Sequence, residues 1–110
     1  MAASTLRAAL IELQVALKEY YGTQAPVLLL YGSYSRDEAT VDSDVDVVLL
    51  YPGDIKPGQE ISQLREILSA LNLRYQILIS ILPASIKHYQ TSSTAFWQNV
   101  RREAIPVDRI

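Results

Sequence analysis

The chain has 110 residues, 49% of them hydrophobic and 20% charged, with a net charge of −2. That is enough apolar material for one packed domain over residues 1–110 and too much for a disordered segment. It contains no cysteine, so disulfide staples and thiolate metal sites are excluded and a reducing cytoplasm is the expected compartment.

No apolar run reaches membrane-spanning length, and the N-terminus lacks a basic region followed by a long apolar core, so neither a membrane span nor a secretory signal is expected. Arg101-Arg102 is the only basic cluster, which argues against a dedicated nucleic-acid surface. Ser4 or Thr5 caps a first helix running to about Tyr20. Leu6, Leu10, Leu13 and Leu17 form its apolar face, and Gly22 stops it. Val27 to Tyr31 and Val47 to Tyr51 are short apolar runs bounded by Gly or Pro, and both read as buried strands.

Between them, Gly32-Ser33 breaks the first strand, and Ser33 to Glu38 forms a short helix followed by a polar loop to Ser43. Ile61, Leu64, Ile67, Leu68 and Leu71 mark a second long helix, with Asn72 as its cap. Arg74 to Leu82 reads as a third strand ended by Pro83. Ala84 to Thr94 is a loop with a turn of helix near Ser85. Ser92 or Ser93 caps a last helix, with Phe96, Trp97 and Val100 on its apolar face and Pro106 as its terminator. Phe96 and Trp97 are read first as core or partner contacts, with an aromatic box for a base as the minor reading.

The chemistry concentrates at the first two strands. Residues i and i+2 of a strand share a face, so Asp44 and Asp46 project together, about 7 Å apart at Cα from strand rise. Two carboxylates at that spacing converge on one divalent ion. The Gly32-Ser33 turn presents backbone N–H groups to a phosphate. A phosphate cradle beside a carboxylate pair is what metal-assisted phosphoryl or nucleotidyl transfer needs.

Gly32-Ser33, ten intervening residues and then Asp44-Val45-Asp46 resemble the signature of the DNA polymerase beta superfamily of nucleotidyltransferases. The short chain resembles in particular the minimal nucleotidyltransferase (MNT) branch. Arg36 stands where many members carry Arg, Ser43 completes a Ser-Asp-x-Asp form, and the stretch from Ser93 to Pro106 looks like the closing helix. The resemblance implies an α/β (α+β) nucleotidyltransferase fold, a small mixed sheet flanked by helices, with the first two strands antiparallel. It implies that Asp44 and Asp46 hold Mg²⁺ ions, two in the full site, and that Gly32, Ser33 and Arg36 bind the phosphates of a nucleoside triphosphate, ATP first.

Active members usually add a third carboxylate on the neighbouring strand. The phase of RYQILIS puts Gln76 at that position, and a neutral amide is a poorer Mg²⁺ ligand. Two functions follow as expectations. One is a transferase moving AMP from ATP to a protein or small acceptor, as the antitoxin beside a helical HEPN-type toxin. The other is a catalytically weak or inactive module with the same fold that binds nucleotide and a partner. The late aromatic residues make a homo-oligomer or partner interface a further expectation.

Overall fold

The computed structural model describes residues 3–32 and 44–110. Helix α1 (Ala3–Tyr21) carries the expected leucine stripe: Leu10, Leu13 and Leu17 are wholly buried and Leu6 nearly so. Ile11 and Val15, on the other side of the helix, stay exposed. The helix closes at Gly22, whose φ of +61° is the left-handed backbone that glycine adopts without steric cost.

Strand β1 (Val27–Tyr31) and strand β2 (Val45–Tyr51) pair antiparallel, with Leu29 opposite Val48 and Tyr31 opposite Asp46. The expected second helix is two helices, α2 (Pro57–Gln63) and α3 (Arg65–Tyr75). They meet at Leu64, whose φ of −95° and ψ of 3° interrupt the helix for one residue while its buried side chain stays in the core. Helix α3 runs past Asn72 and stops at Gln76, which holds a left-handed backbone at φ +54°.

The third strand therefore starts later than its alternation suggested. Strand β3 is Ile79–Ser85 and runs parallel to β2. Pro83 lies inside it, opposite Leu49. That is allowed because β3 is the edge of a four-stranded sheet ordered β3-β2-β1-β4, where strand β4 is Ile105–Pro106. The Leu78 carbonyl accepts from Val45 N–H at 2.8 Å, while Ile79 N–H turns the other way and donates to Asn72 Oδ1 at 3.0 Å. Alternation from there aims the backbone of Ile81 and Pro83 away from β2, so the missing N–H of Pro83 breaks no ladder bond.

Helix α4 (Ile86–Thr91) replaces most of the expected loop, and helix α5 (Ala95–Glu103) follows. The cap of α5 is Thr94, not Ser92 or Ser93: its side chain accepts from Trp97 N–H at 3.4 Å. Pro106 does not simply end this helix; it sits in β4, paired with Leu29 of β1.

The sheet has two faces with different covers. Odd-numbered residues of β2, Val45, Val47, Leu49 and Tyr51, join Leu28, Leu30, Ile79 and Ile81 under α1 and α3 in the main core. Even-numbered Val48 and Leu50 join Leu29, Ala84 and Val100 in a smaller core beneath α4 and α5. A leucine such as Leu13, fully buried in the main core, contributes about 3 kcal/mol relative to alanine. Among the described residues, no helix is long and apolar enough to cross a membrane.

Candidate active site

Asp44 directly precedes β2 and is exposed, whereas Asp46 is its second residue and is half-buried. Asp46 shares the parity of Val48 and Leu50, so the sheet projects it onto the face of the smaller core, where it is half-buried. Burial pushes the Asp46 carboxyl above its ordinary value, and the charge of Asp44 pushes it the same way. The two carboxylates are thus electrostatic neighbours. Among the described residues neither forms an ion pair with a lysine or arginine.

Gly32 stands at the end of β1 with φ +76°. A Cβ built there would lie 2.5 Å from Asp46 Oδ2, well inside contact distance for those atoms. Glycine is therefore required twice, for the left-handed backbone and for the room its missing side chain leaves beside the carboxylate. The turn after β1 and the Asp-x-Asp strand are fitted to each other at this point. Ser33 and Arg36, the other expected phosphate contacts, lie outside the described residues, as do the short helix expected at 33–38 and the loop to Ser43.

Gln76 is not the strand residue beside the aspartates. It caps α3, exposed and left-handed, three residues before β3 begins. The apparent alternation of Tyr75, Gln76 and Ile77 is the end of a helix followed by a turn, with Ile77 N–H bonded back to the Asn72 carbonyl at 3.1 Å. The residue directly opposite Asp46 on β3 is Ser80. Ser80 shares the parity of Leu82 and Ala84, which belong to the same face, so paired positions put its hydroxyl on the side of Asp46. Its half-buried position was readable only after the strand had been phased correctly. The usable signal was Pro83, which reads as a strand end unless the strand is an edge. Tyr31 lies opposite Asp46 on β1, and the ring of Phe96 lies 5.7 Å from that of Tyr31.

Among the described residues no three carboxylate, histidine or cysteine side chains gather as a metal site. The donor set is two carboxylates, hard oxygen ligands suited to Mg²⁺, beside a glycine whose missing side chain leaves room at one of them. That set fits one divalent ion.

The mixed sheet sets a glycine turn against an Asp-x-Asp strand, and comparison with known families gives that arrangement a class. Residues 11–99 match the nucleotidyltransferase domain family, and the chain belongs to that family. In structure it is similar to a toxin–antitoxin complex with AMP-PNP, at 17% identity and a TM-score of 0.61, with 92% of this chain and 71% of that one covered. It is also similar to a toxin–antitoxin structure named MntA-HpeT in which two aspartates are changed to glutamate, at 15% identity and a TM-score of 0.55, covering 84% of this chain and 67% of that one. At these identities the likeness establishes the fold, and the expected antiparallel first strand pair is present. A search of curated protein sequences finds no match.

Proposed function

We propose that this domain binds a Mg²⁺–nucleoside triphosphate, ATP first, and transfers the nucleoside monophosphate to a hydroxyl of a protein or small acceptor. In this reading it is the antitoxin half of a cytoplasmic toxin–antitoxin pair whose partner is a helical HEPN-type protein. The observation that carries the reading is the Asp44–Asp46 pair packed against Gly32 in a chain of the nucleotidyltransferase family. The described toxin–antitoxin complexes, one holding AMP-PNP, support the choice of nucleotide and partner. Exposed Ile11 and Val15 on α1 offer surface for that partner or for a second copy of the chain.

Asp44 and Asp46 would hold the Mg²⁺, which when bound neutralises phosphate charge and stabilises the leaving pyrophosphate. The backbone at Gly32 admits a phosphate close to the carboxylates, and Ser33 and Arg36 add donors to its oxygens. The acceptor oxygen forms a bond to the α-phosphorus as the α–β bridging P–O bond breaks. Its proton leaves to the solvent that reaches exposed Asp44.

The second reading is a module that binds nucleotide and partner with little or no transfer. Ser80 opposite Asp46 favours it, because a hydroxyl adds neither charge nor a general base near neutral pH. The test is incubation with labelled ATP, Mg²⁺ and candidate partner proteins. Label on a partner, lost in Asp44→Ala, is the expected result. Tight ATP binding with no labelled acceptor selects the second reading, and no Mg²⁺-dependent ATP binding at all defeats both.

A further inference from the structure

Next to the carboxylates lies an aromatic group that the phosphate chemistry does not use. Tyr31 is the direct cross-strand partner of Asp46, so the two side chains rise on the same face with Cβ atoms roughly 5 Å apart. The Tyr31 ring meets Phe96 edge to face, at 5.7 Å and 78°. Phe96 in turn meets Trp97 at 5.0 Å and 86°, and Trp97 is wedged against His88 at 5.5 Å. Trp97 and Tyr31 are half-buried and packed on the smaller core, but Phe96 keeps 41% of its surface exposed. It sits in the first turn of α5, fixed by the Thr94 cap and by Val100, wholly buried one turn further on. An apolar ring packed between two others and partly open to solvent, with Tyr31 between it and Asp46, offers a surface for stacking.

We propose that Phe96 is the platform on which the base of the bound nucleotide stacks. The proposal rests on the nucleotide-binding reading above and deepens it: phosphates at Asp44, Asp46 and Gly32, ribose across Tyr31, base against Phe96. Stacking on an aromatic ring tolerates any base, so the platform supplies affinity for a nucleoside and leaves the choice of base to other contacts. Phe96 is thus left open at the start of a helix whose other large apolar residues, Trp97 and Val100, are half-buried and buried.

The experiment compares Mg²⁺–ATP with Mg²⁺–tripolyphosphate, which has the phosphates and no base, on the full chain. Affinities are measured for wild type, Phe96→Ala, Phe96→Leu and Phe96→Tyr, with folding checked by thermal melts. Trp97, the only tryptophan, reports stacking next to it through its fluorescence. Phe96→Ala and Phe96→Leu should weaken ATP about tenfold, the usual worth of one stacked base, and leave tripolyphosphate unchanged. Phe96→Tyr should keep wild-type affinity, and ATP should shift Trp97 emission where tripolyphosphate does not. Phe96→Leu keeps the proposal testable if the alanine variant does not fold.

Unchanged ATP affinity in both Ala and Leu variants overturns the proposal and makes the ring a contact for the acceptor or partner. Equal loss of ATP and tripolyphosphate overturns it too, by showing that Phe96 only shapes the site. If wild type binds tripolyphosphate but binds ATP no better, the base platform fails while the phosphate site stands. If it binds neither, the nucleotide reading fails first and takes the platform with it.

Discussion

The two ends of β2 carry polar clusters of opposite character. At the far end Tyr51, almost wholly buried, places its hydroxyl 3.1 Å from that of Tyr21, and Tyr21 donates to Glu60. Either phenol can be the donor in the pair they form. Burial raises both phenols, Tyr51 to about 12, so both stay protonated and able to donate. At the near end, Asp44 and Asp46 repel one another, and no described cation pairs with them. One strand thus ends once in a network of internal partners and once in two carboxylates with no cation paired to them among the described residues. Such local conflict within a consistent fold is where function is expected, and the difference can be tested end by end.

The largest effect should come from removing the near end. Asp44→Ala/Asp46→Ala should lower Mg²⁺-dependent ATP affinity by more than about a hundredfold while the melting temperature of the metal-free protein stays the same or rises. Calorimetric titration and thermal melts on the same samples check both halves. If ATP affinity survives, the carboxylates are not the site.

Gly32→Val breaks the junction between the turn and Asp46. The positive φ and the encroaching Cβ should cost about 1–3 kcal/mol of stability, read by urea unfolding, together with a loss of ATP affinity. Gly32→Ala should fall between Val and wild type. Equal stability of wild type and Gly32→Val would show that the turn relaxes freely.

At the far end the pattern should invert. Tyr51→Phe removes one hydroxyl from the buried network and should cost about 1 kcal/mol, with nucleotide affinity unchanged. A change in affinity would mean that the two ends communicate.

The smallest effect concerns pH. The folded-state pKa of Asp46 lies above its ordinary 3.8, so the folded protein holds that proton more tightly than the unfolded chain. Ionising Asp46 therefore costs stability: the relative stabilisation is complete below the ordinary value and is lost as pH rises through the raised folded value. Asp46→Asn should be more stable than wild type above that range, and the gap should close on acidification. Mg²⁺ added at neutral pH should narrow it as well, by stabilising wild type alone. Melts of the pair across the acidic range, with and without Mg²⁺, supply the measurement.

Much of this contrast was legible in the residues. The leucine stripe of α1 and the apolar runs of β1 and β2 needed only periodicity, since burial on a helix stripe or in a central strand leaves few alternatives. Gly32 and the Asp44–Asp46 pair followed from their spacing. The third strand was not legible in phase. Tyr75, Gln76 and Ile77 alternate like a strand, and the helix stop at Gln76 uses a left-handed residue that is not glycine. What fixes the true boundary is the Asn72 side chain catching Ile79 N–H, a contact between residues seven apart that no local pattern announces. Pro83 misled for a related reason, because its tolerance depends on strand order, which is a property of the whole sheet. The break at Leu64 likewise keeps a buried leucine in step with the helical repeat on both sides, so periodicity runs through it unmarked.

Strand order also bears on how this protein meets other molecules. On one border of the sheet, Pro83 offers no hydrogen to a neighbouring chain at the position where one would be needed. On the other, β4 is two residues long, one of them Pro106. Among the described residues neither border offers an unbroken row of donors to an incoming strand, which disfavours edge-to-edge stacking of copies into fibres. Recognition by main-chain pairing, in which a partner extends the sheet by lending a segment, is disfavoured at the same positions. Association is left chiefly to side chains, so selectivity for a companion should track substitutions on helix surfaces and around the mouth of the site.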